Sequence, residues 1–243
     1  MAVLVLGCPV VARDQAHLRP SRRSASVLLG MFGLRPNRRL AVDWLVGALW
    51  PHRPPPSAPA NLRSHIAELR RLLGAGPCIE RADDGYLLAA APSEVDTTLF
   101  IDLVAEARNS REQGDNTHAA LTLNRALALW RGPILEGIPV PPVVQPQATL
   151  LDDEHLAATE ELVDARLDLG HHRALVPELK ALVREHPLRE RLWHQLLLAL
   201  AATGRRSEVV DHYRRLAHVL DTELGVRPSQ AVTELHDLVR RSG

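Results

Sequence analysis

Residues 58–74 read Ala58-Pro59-Ala60-Asn61-Leu62-Arg63-Ser64-His65-Ile66-Ala67-Glu68-Leu69-Arg70-Arg71-Leu72-Leu73-Gly74. At about 100° per residue, Leu62, Ile66, Leu69 and Leu73 fall within roughly 60° of one another, which predicts a helix with one buried face. Ser57 is placed to cap it, Pro59 is tolerated in its first turn and Gly74 ends it. The opposite side carries Ala60, Ser64, Ala67 and Arg71, flanked by Asn61, Arg63 and Glu68. Small residues mixed with arginine let a helix approach a groove closely. Arg63, Arg70 and Arg71 suit phosphates, while Asn61 and Ser64 suit base edges. The same pattern also fits an ordinary solvated amphipathic helix, so its neighbours in the chain decide.

Upstream, Val3–Leu6 and Val10-Val11 read as short strands around Gly7 and Pro9. Arg22–Leu34 reads as a helix with Ala25, Leu28, Leu29 and Phe32 on one face. After a turn at Pro36-Asn37 comes a second helix, Asp43–Trp50, closed by the proline-rich segment Pro51–Pro56. Downstream, Ile79–Leu88 reads as two short strands around Asp83-Asp84-Gly85, a hairpin. Three helices followed by a hairpin is the order of a winged helix-turn-helix, whose third helix enters the major groove. Arg81, near the root of the hairpin, is placed for the flanking backbone or minor groove.

The chain has 243 residues, 29 basic and 29 acidic. A formal charge of zero argues by itself against a nucleic-acid partner. The charge is unevenly spread, however: residues 1–92 carry 12 arginines against 6 acidic side chains, and residues 93–243 carry 17 basic against 23 acidic. That asymmetry points to a polyanionic partner for the first part. Arginine outnumbers lysine 28 to 1 throughout, which reads as composition bias, because a phosphate surface would accept lysine too. Cys8 and Cys78 lack metal-ligand spacing, the N-terminus has no basic stretch ahead of its apolar run, and no segment suits a membrane span. A reduced, cytoplasmic setting is expected.

From residue 94 the pattern changes to long helices, roughly Thr97–Gln113, Thr117–Leu129, Leu151–Leu169, Arg173–Glu185, Arg189–Ala202, Ser207–Leu224 and Ser229–Arg241, with Pro133–Pro146 as a connector. Gly170 and Gly204 lie 34 residues apart, the tetratricopeptide period. Pro187 and Trp193 fit the repeat's end and its large aromatic position; Val209, Tyr213 and Leu216 match less closely, and Gly114, Ala119, Leu123 and Ala126 repeat the spacing once more. The expected fold is therefore mainly α: a winged helix-turn-helix over 1–92, then an all-α domain over 93–243 with three tetratricopeptide-like repeats, the first interrupted by the connector, and a terminal helix. Such arrays present a face to a protein partner. The histidines form no HExxH, and there is no zinc spacing, phosphate loop or nucleophile elbow. No enzyme, metal or cofactor is expected.

Together these stretches resemble the actinobacterial antibiotic regulatory proteins, the SARP activators, which pair an OmpR-like winged helix with a bacterial transcriptional activation domain. In the first part the resemblance rests on Leu34–Arg38, Asp43 with Leu45 and Ala48-Leu49-Trp50, Asn61–Ile66, Leu69–Gly74 and Gly85-Tyr86. In the second it rests on Asp96, Phe100, Ala126-Leu127, Leu129–Gly132, Glu178-Leu179, His186–Glu190 and Asp221–Gly225 with Pro228. It covers nearly the whole chain. It implies a recognition helix at Asn61–Leu73, a wing at Arg81–Leu88 and an activation region in 94–243, and it adds His65 and Tyr86 to Asn61, Arg63, Ser64, Arg70, Arg71 and Arg81 as DNA-binding residues. It further implies double-stranded promoter DNA with direct repeats as ligand, self-association on that DNA, RNA polymerase as partner, and activation of a secondary-metabolite gene cluster. The chain resembles a small, self-contained member, with no receiver domain before it and no nucleotide-binding domain after it.

Three positions depart from the family pattern. Ala41 stands where a capping serine is common, at a cost of about 1 kcal/mol if nothing compensates. Glu68 stands where arginine is common, to repel phosphate or to accept from a cytosine amino group. The loop with Pro54-Pro55-Pro56 and Pro59 is stiffer than usual. Two other readings stay open: a protein-interaction scaffold with weak or lost DNA binding, and a repeat groove that senses a metabolite.

Overall fold

Apolar residues at Val3, Val5, Leu6, Val10 and Val11 are all buried, and they organise the start of the chain. The computed structural model describes residues 1–14 and 16–241. Three short strands, β1 (Ala2–Leu4), β2 (Val10–Arg13) and β3 (Ala16–Leu18), form an antiparallel sheet in that order. Then come α1 (Arg23–Leu34), β4 (Leu40–Ala41), α2 (Val42–Leu49), α3 (Ala58–Leu73), β5 (Cys78–Ala82) and β6 (Gly85–Ala89). The second sheet has the order β4-β6-β5 and is antiparallel, with Leu40 opposite Tyr86 and Arg81 opposite Tyr86 on the other side. This is a winged helix-turn-helix, with β5 and β6 as the wing. The strands β3 and β4 go beyond the sequence reading; two or three residues are too few to show an alternation.

The remainder is helical: a short 3-10 turn (Pro92–Glu94), then α4 (Asp96–Glu112), α5 (Asn116–Leu127), α6 (Gln145–Asp168), α7 (His172–Glu185), α8 (Glu190–Ala202), α9 (Arg206–Leu224) and α10 (Gln230–Arg241). Helix α6 starts six residues ahead of the expected Leu151. Pro146 is its second residue, and a proline in the first turn removes no hydrogen bond the helix needs.

The chain divides into two compact units: Met1–Glu106 with Thr122–Leu156, and Ala107–Leu121 with the residues from Ala157 onward. A cut at residue 93 separates two sequence patterns, whereas compactness follows other lines, because later segments are bonded to the N-terminal sheet. Asp96, 2% exposed, accepts N–H bonds from Val5 (2.9 and 2.8 Å) and Leu6 (2.9 Å). The Arg131 and Leu135 amides donate to the carbonyls of Leu6 and Val5, at 2.9 and 3.2 Å. Thr97 donates its hydroxyl to the Gly33 carbonyl at 2.7 Å. Gly33 itself leaves room for Val5, whose Cγ1 would lie 2.6 Å from any Cβ placed there. The aromatic rings of Phe100 and Trp130 meet edge to face at 5.6 Å.

In the second unit the same turn recurs. Gly114, Gly170 and Gly204 all have positive φ. Each donates its N–H to the carbonyl three residues back, and the residue after it donates to the carbonyl five back. This is the Schellman termination, which favours glycine because its left-handed backbone carries no Cβ penalty. The turns close α4, α6 and α8 and start α5, α7 and α9, so the helix-pair repeat is written in the backbone as well as in the spacing. Trp193 is 2% exposed and donates its indole N–H to the Pro187 carbonyl at 2.9 Å. Tyr213 stacks on His236 at 4.0 Å. Glu160, buried on α6, pairs with Arg189 and Arg191. Asp164 pairs with Arg191 and accepts from the Gln195 amide.

Candidate nucleic-acid interface

Helix α3 is fixed by its apolar face: Leu62, Ile66, Leu69 and Leu73 are each at most 1% exposed. That rotation leaves Arg63, Ser64, Ala67 and Arg71 facing outward. Ser57 is the residue before the helix, but its side chain makes no capping bond to a backbone amide. It accepts instead from the Asn61 side-chain amide at 3.3 Å, and Asn61 is half-exposed. Ser64 bonds back to the Ala60 carbonyl at 3.2 Å, and Arg71 Nε to the Ala67 carbonyl at 3.4 Å. Ser64 is free to rotate its oxygen outward; Arg63 is exposed with no bond among those described.

Arg70 is bonded to the wing. Its Nε donates to the Ile79 carbonyl at 2.7 Å, and its guanidinium lies 6.0 Å from the centre of the Tyr86 ring. It ties α3 to the wing. Tyr86 is 4% exposed and His65 7% exposed, so neither offers a face to a groove. Burial, with the Arg22 charge next, pushes His65 below the ordinary histidine range, against a smaller opposing pull from Glu68. Arg81 is exposed on β5. Of the eight residues singled out from sequence, the structure brings Asn61, Arg63, Ser64 and Arg71 to one outer side of α3 and places Arg81 on the wing.

Two of the departures have a definite structural setting. The first amide of α2, Val42 N–H, donates to the Asp84 carbonyl at 2.9 Å. The wing turn thus satisfies one free amide at the start of α2, a different one from the Asp43 or Trp44 amide that a capping serine would accept from. Glu68 is turned toward the start of α1, where it accepts from the Ser21 N–H at 2.6 Å and the Ser21 hydroxyl at 2.8 Å. Burial acts against its charge, but these bonds and the Arg22 backbone hold its carboxyl below the usual range. Arg19 and Arg22 share a cleft with Arg71 and Ser64. Sequence reasoning passed over both, although Arg19-Pro20-Ser21-Arg22-Arg23 is a basic run immediately before a helix.

Among the described residues no group of three or more His, Cys, Asp or Glu is placed to hold a metal ion. No helix there is long and apolar enough to cross a membrane.

An OmpR-like winged helix followed by tetratricopeptide-like helices defines a class of DNA-associated regulators. The family model described as "Bacterial transcriptional activator domain" matches residues 95–240. The regulatory protein DnrI of Streptomyces peucetius is 31% identical, over all of this chain and 93% of its own length. The regulatory protein AfsR of Streptomyces griseus is 36% identical over 98% of this chain, which spans 24% of that protein. A solved structure of Mycobacterium tuberculosis EmbR with a low-affinity phosphopeptide is 30% identical and superposes with a TM-score of 0.93, over 99% of this chain and 65% of that one. The chain belongs to the SARP family of OmpR-like regulators with a bacterial transcriptional activator domain. The relatives it matches are regulatory proteins.

Proposed function

We propose that this chain is a sequence-specific transcriptional activator of a secondary-metabolite gene cluster. Residues 1–92 read direct repeats in promoter DNA, and residues 93–243 engage RNA polymerase, with copies of the chain associating on the DNA. The observation that carries this reading is the outer side of α3. Arg63, Ser64 and Arg71 stand exposed on a helix whose other side is fully buried, and Ala60 and Ala67 leave room for close approach. Arg63 and Arg71 supply phosphate contacts, Asn61 and Ser64 face base edges, and Arg81 brings the wing to the flanking backbone. Arg70, Tyr86 and His65 serve this surface from behind by fixing α3 and the wing.

The test is binding to duplexes from promoters that neighbour its gene, measured across a salt series. Wild-type protein should discriminate its site from a scrambled duplex, and Arg71→Ala should reduce the slope of log affinity against log salt by about 0.9. No binding to any duplex at low salt would overturn the proposal and leave the helical repeats, as a protein-interaction scaffold, to account for the fold.

A further inference from the structure

Glu68 is the one acidic side chain on α3, and the role sketched for DNA reading makes no use of it. The cleft it lines has a volume of about 530 Å³ and is bounded by Arg19, Ser21 and Arg22 before α1 and by Ser64, Ala67, Arg71 and Leu72 on α3. Three arginines, brought from two separate parts of the chain, line the same cleft as one carboxylate.

That carboxylate is already engaged. The Ser21 N–H and hydroxyl both donate to Glu68 Oε1, so the amide that would otherwise meet an anion at the start of α1 is taken. What remains available in the cleft is cationic side chain. Arg22 lies close enough to α3 for its charge to bear on both His65 and Glu68. Arg19, Arg22 and Arg71 are exposed, and the planar fork of arginine matches phosphate oxygens two at a time. Ser64 and Arg71 also belong to the outer side of α3, so a polyanion lying along that side passes over the cleft.

We propose that Arg19 and Arg22, with Arg71 and Ser64, clasp one backbone phosphate of the bound duplex, and that Glu68 is the positioning residue that holds Ser21 and Arg22 for it. The inference rests on the DNA-binding reading and adds to it a contact made from outside the recognition helix. Glu68 then acts through Ser21: it costs some attraction for phosphate but sets the place from which Arg22 reaches.

The experiment is the salt dependence of anisotropy with a promoter duplex and a scrambled duplex of equal length. A phosphate contact carries no sequence information. Arg22→Ala and Arg19→Ala should therefore weaken both duplexes equally, roughly ten-fold, and lower the salt slope by about 0.9 each. Glu68→Ala should weaken binding although it removes a negative charge, and Glu68→Gln, which keeps an oxygen for Ser21, should restore it. Glu68→Ala added to Arg22→Ala should change nothing further. Urea midpoints of each variant check folding, and Ser21→Ala is the milder perturbation if Glu68→Ala is unstable.

Unchanged affinity and slope in Arg22→Ala, while Arg71→Ala loses both, would overturn the clasp and leave the DNA reading standing. Tighter binding by Glu68→Ala would overturn the positioning role. Absence of wild-type binding to either duplex at low salt would overturn the DNA reading and the clasp with it. Inorganic phosphate exchanged for chloride at constant ionic strength competes for the same arginines and should weaken wild type more than Arg22→Ala. If phosphate protects wild type but not Arg22→Ala against thermal unfolding and yet leaves duplex affinity unchanged, the cleft belongs to a free anion and the duplex assignment falls.

Discussion

Replacing Asp96 with alanine strands two buried donors, the amides of Val5 and Leu6. Both donate to the carboxylate at 2.8–2.9 Å, and Arg131 approaches it at 3.5 Å. An unpaired buried N–H costs about 1–3 kcal/mol. Two of them set a loss of about 2–6 kcal/mol, reduced because a buried charge is removed as well. That reduction can be sized. Burial pushes the Asp96 carboxyl up to about 6, although the Val5 and Leu6 amides and Arg131 pull the other way. A rise of about two units above the unfolded value disfavours the charged form by about 3 kcal/mol at neutral pH. The net expectation for Asp96→Ala at pH 7 therefore runs from about no change to a loss of about 3 kcal/mol.

The pH dependence follows from the same shift. Between about pH 4 and 6 the folded protein holds a proton on Asp96 that the unfolded chain has released. Its contribution to stability is therefore full below pH 4 and falls by about 3 kcal/mol as pH rises through 6. Asp96→Asn keeps one accepting oxygen and cannot titrate. Urea denaturation of wild type and Asp96→Asn from pH 4 to 7.5, with m-values compared to check two-state behaviour, gives the difference curve. A flat difference across that range would refute the assignment of Asp96 as the bond between the turn that follows β1 and α4.

Three other substitutions probe separate parts of the molecule. Gly85→Ala would push a Cβ into the Leu40 carbonyl oxygen, so β4 should part from β6 at a cost of about 2 kcal/mol or more, seen as faster hydrogen exchange at Tyr86. Arg70→Ala loses its bond to the Ile79 carbonyl and the Tyr86 ring beneath it; a loss of about 1–2 kcal/mol in thermal denaturation is expected, with the salt slope of DNA binding unchanged. Trp193→Ala opens a cavity among α8 and its neighbours, and about 3–5 kcal/mol of stability should go with it, read by chemical denaturation.

Much of the fold was legible because its local signals agree. In α3 the apolar spacing, the proline in the first turn and the closing glycine all point one way, and the four apolar residues are buried as expected. The 34-residue interval between Gly170 and Gly204 was legible for a similar reason: a Schellman turn calls for glycine at one position, and repetition exposes the period. Tertiary partners were harder to read. Nothing near Ala41 announces that Asp84, 43 residues later, will satisfy the amide that follows it. Glu68 read as a charge on a DNA-facing helix because helical angle alone does not say which neighbour lies beside it; Ser21, 47 residues away, does. His65 and Tyr86 were carried by resemblance, which does not announce that both side chains are buried.

The long reach of the bonds at the N-terminal sheet has a consequence for biosynthesis. The amides of Val5 and Leu6 find their acceptor at Asp96; the Leu6 carbonyl accepts from Arg131, and the Val5 carbonyl adds Leu135 to its local bond from Gly7. On the ribosome, the Val5-Leu6 segment that follows β1 must wait for some 130 further residues before its last bond, roughly 7–26 s at ordinary elongation rates. Until then the apolar Val3, Val5 and Leu6 have no complete place to go. The earliest segment to leave the ribosome is thus among the last to lock, and the winged helix comes to full stability only after much of the helical region that follows has been made.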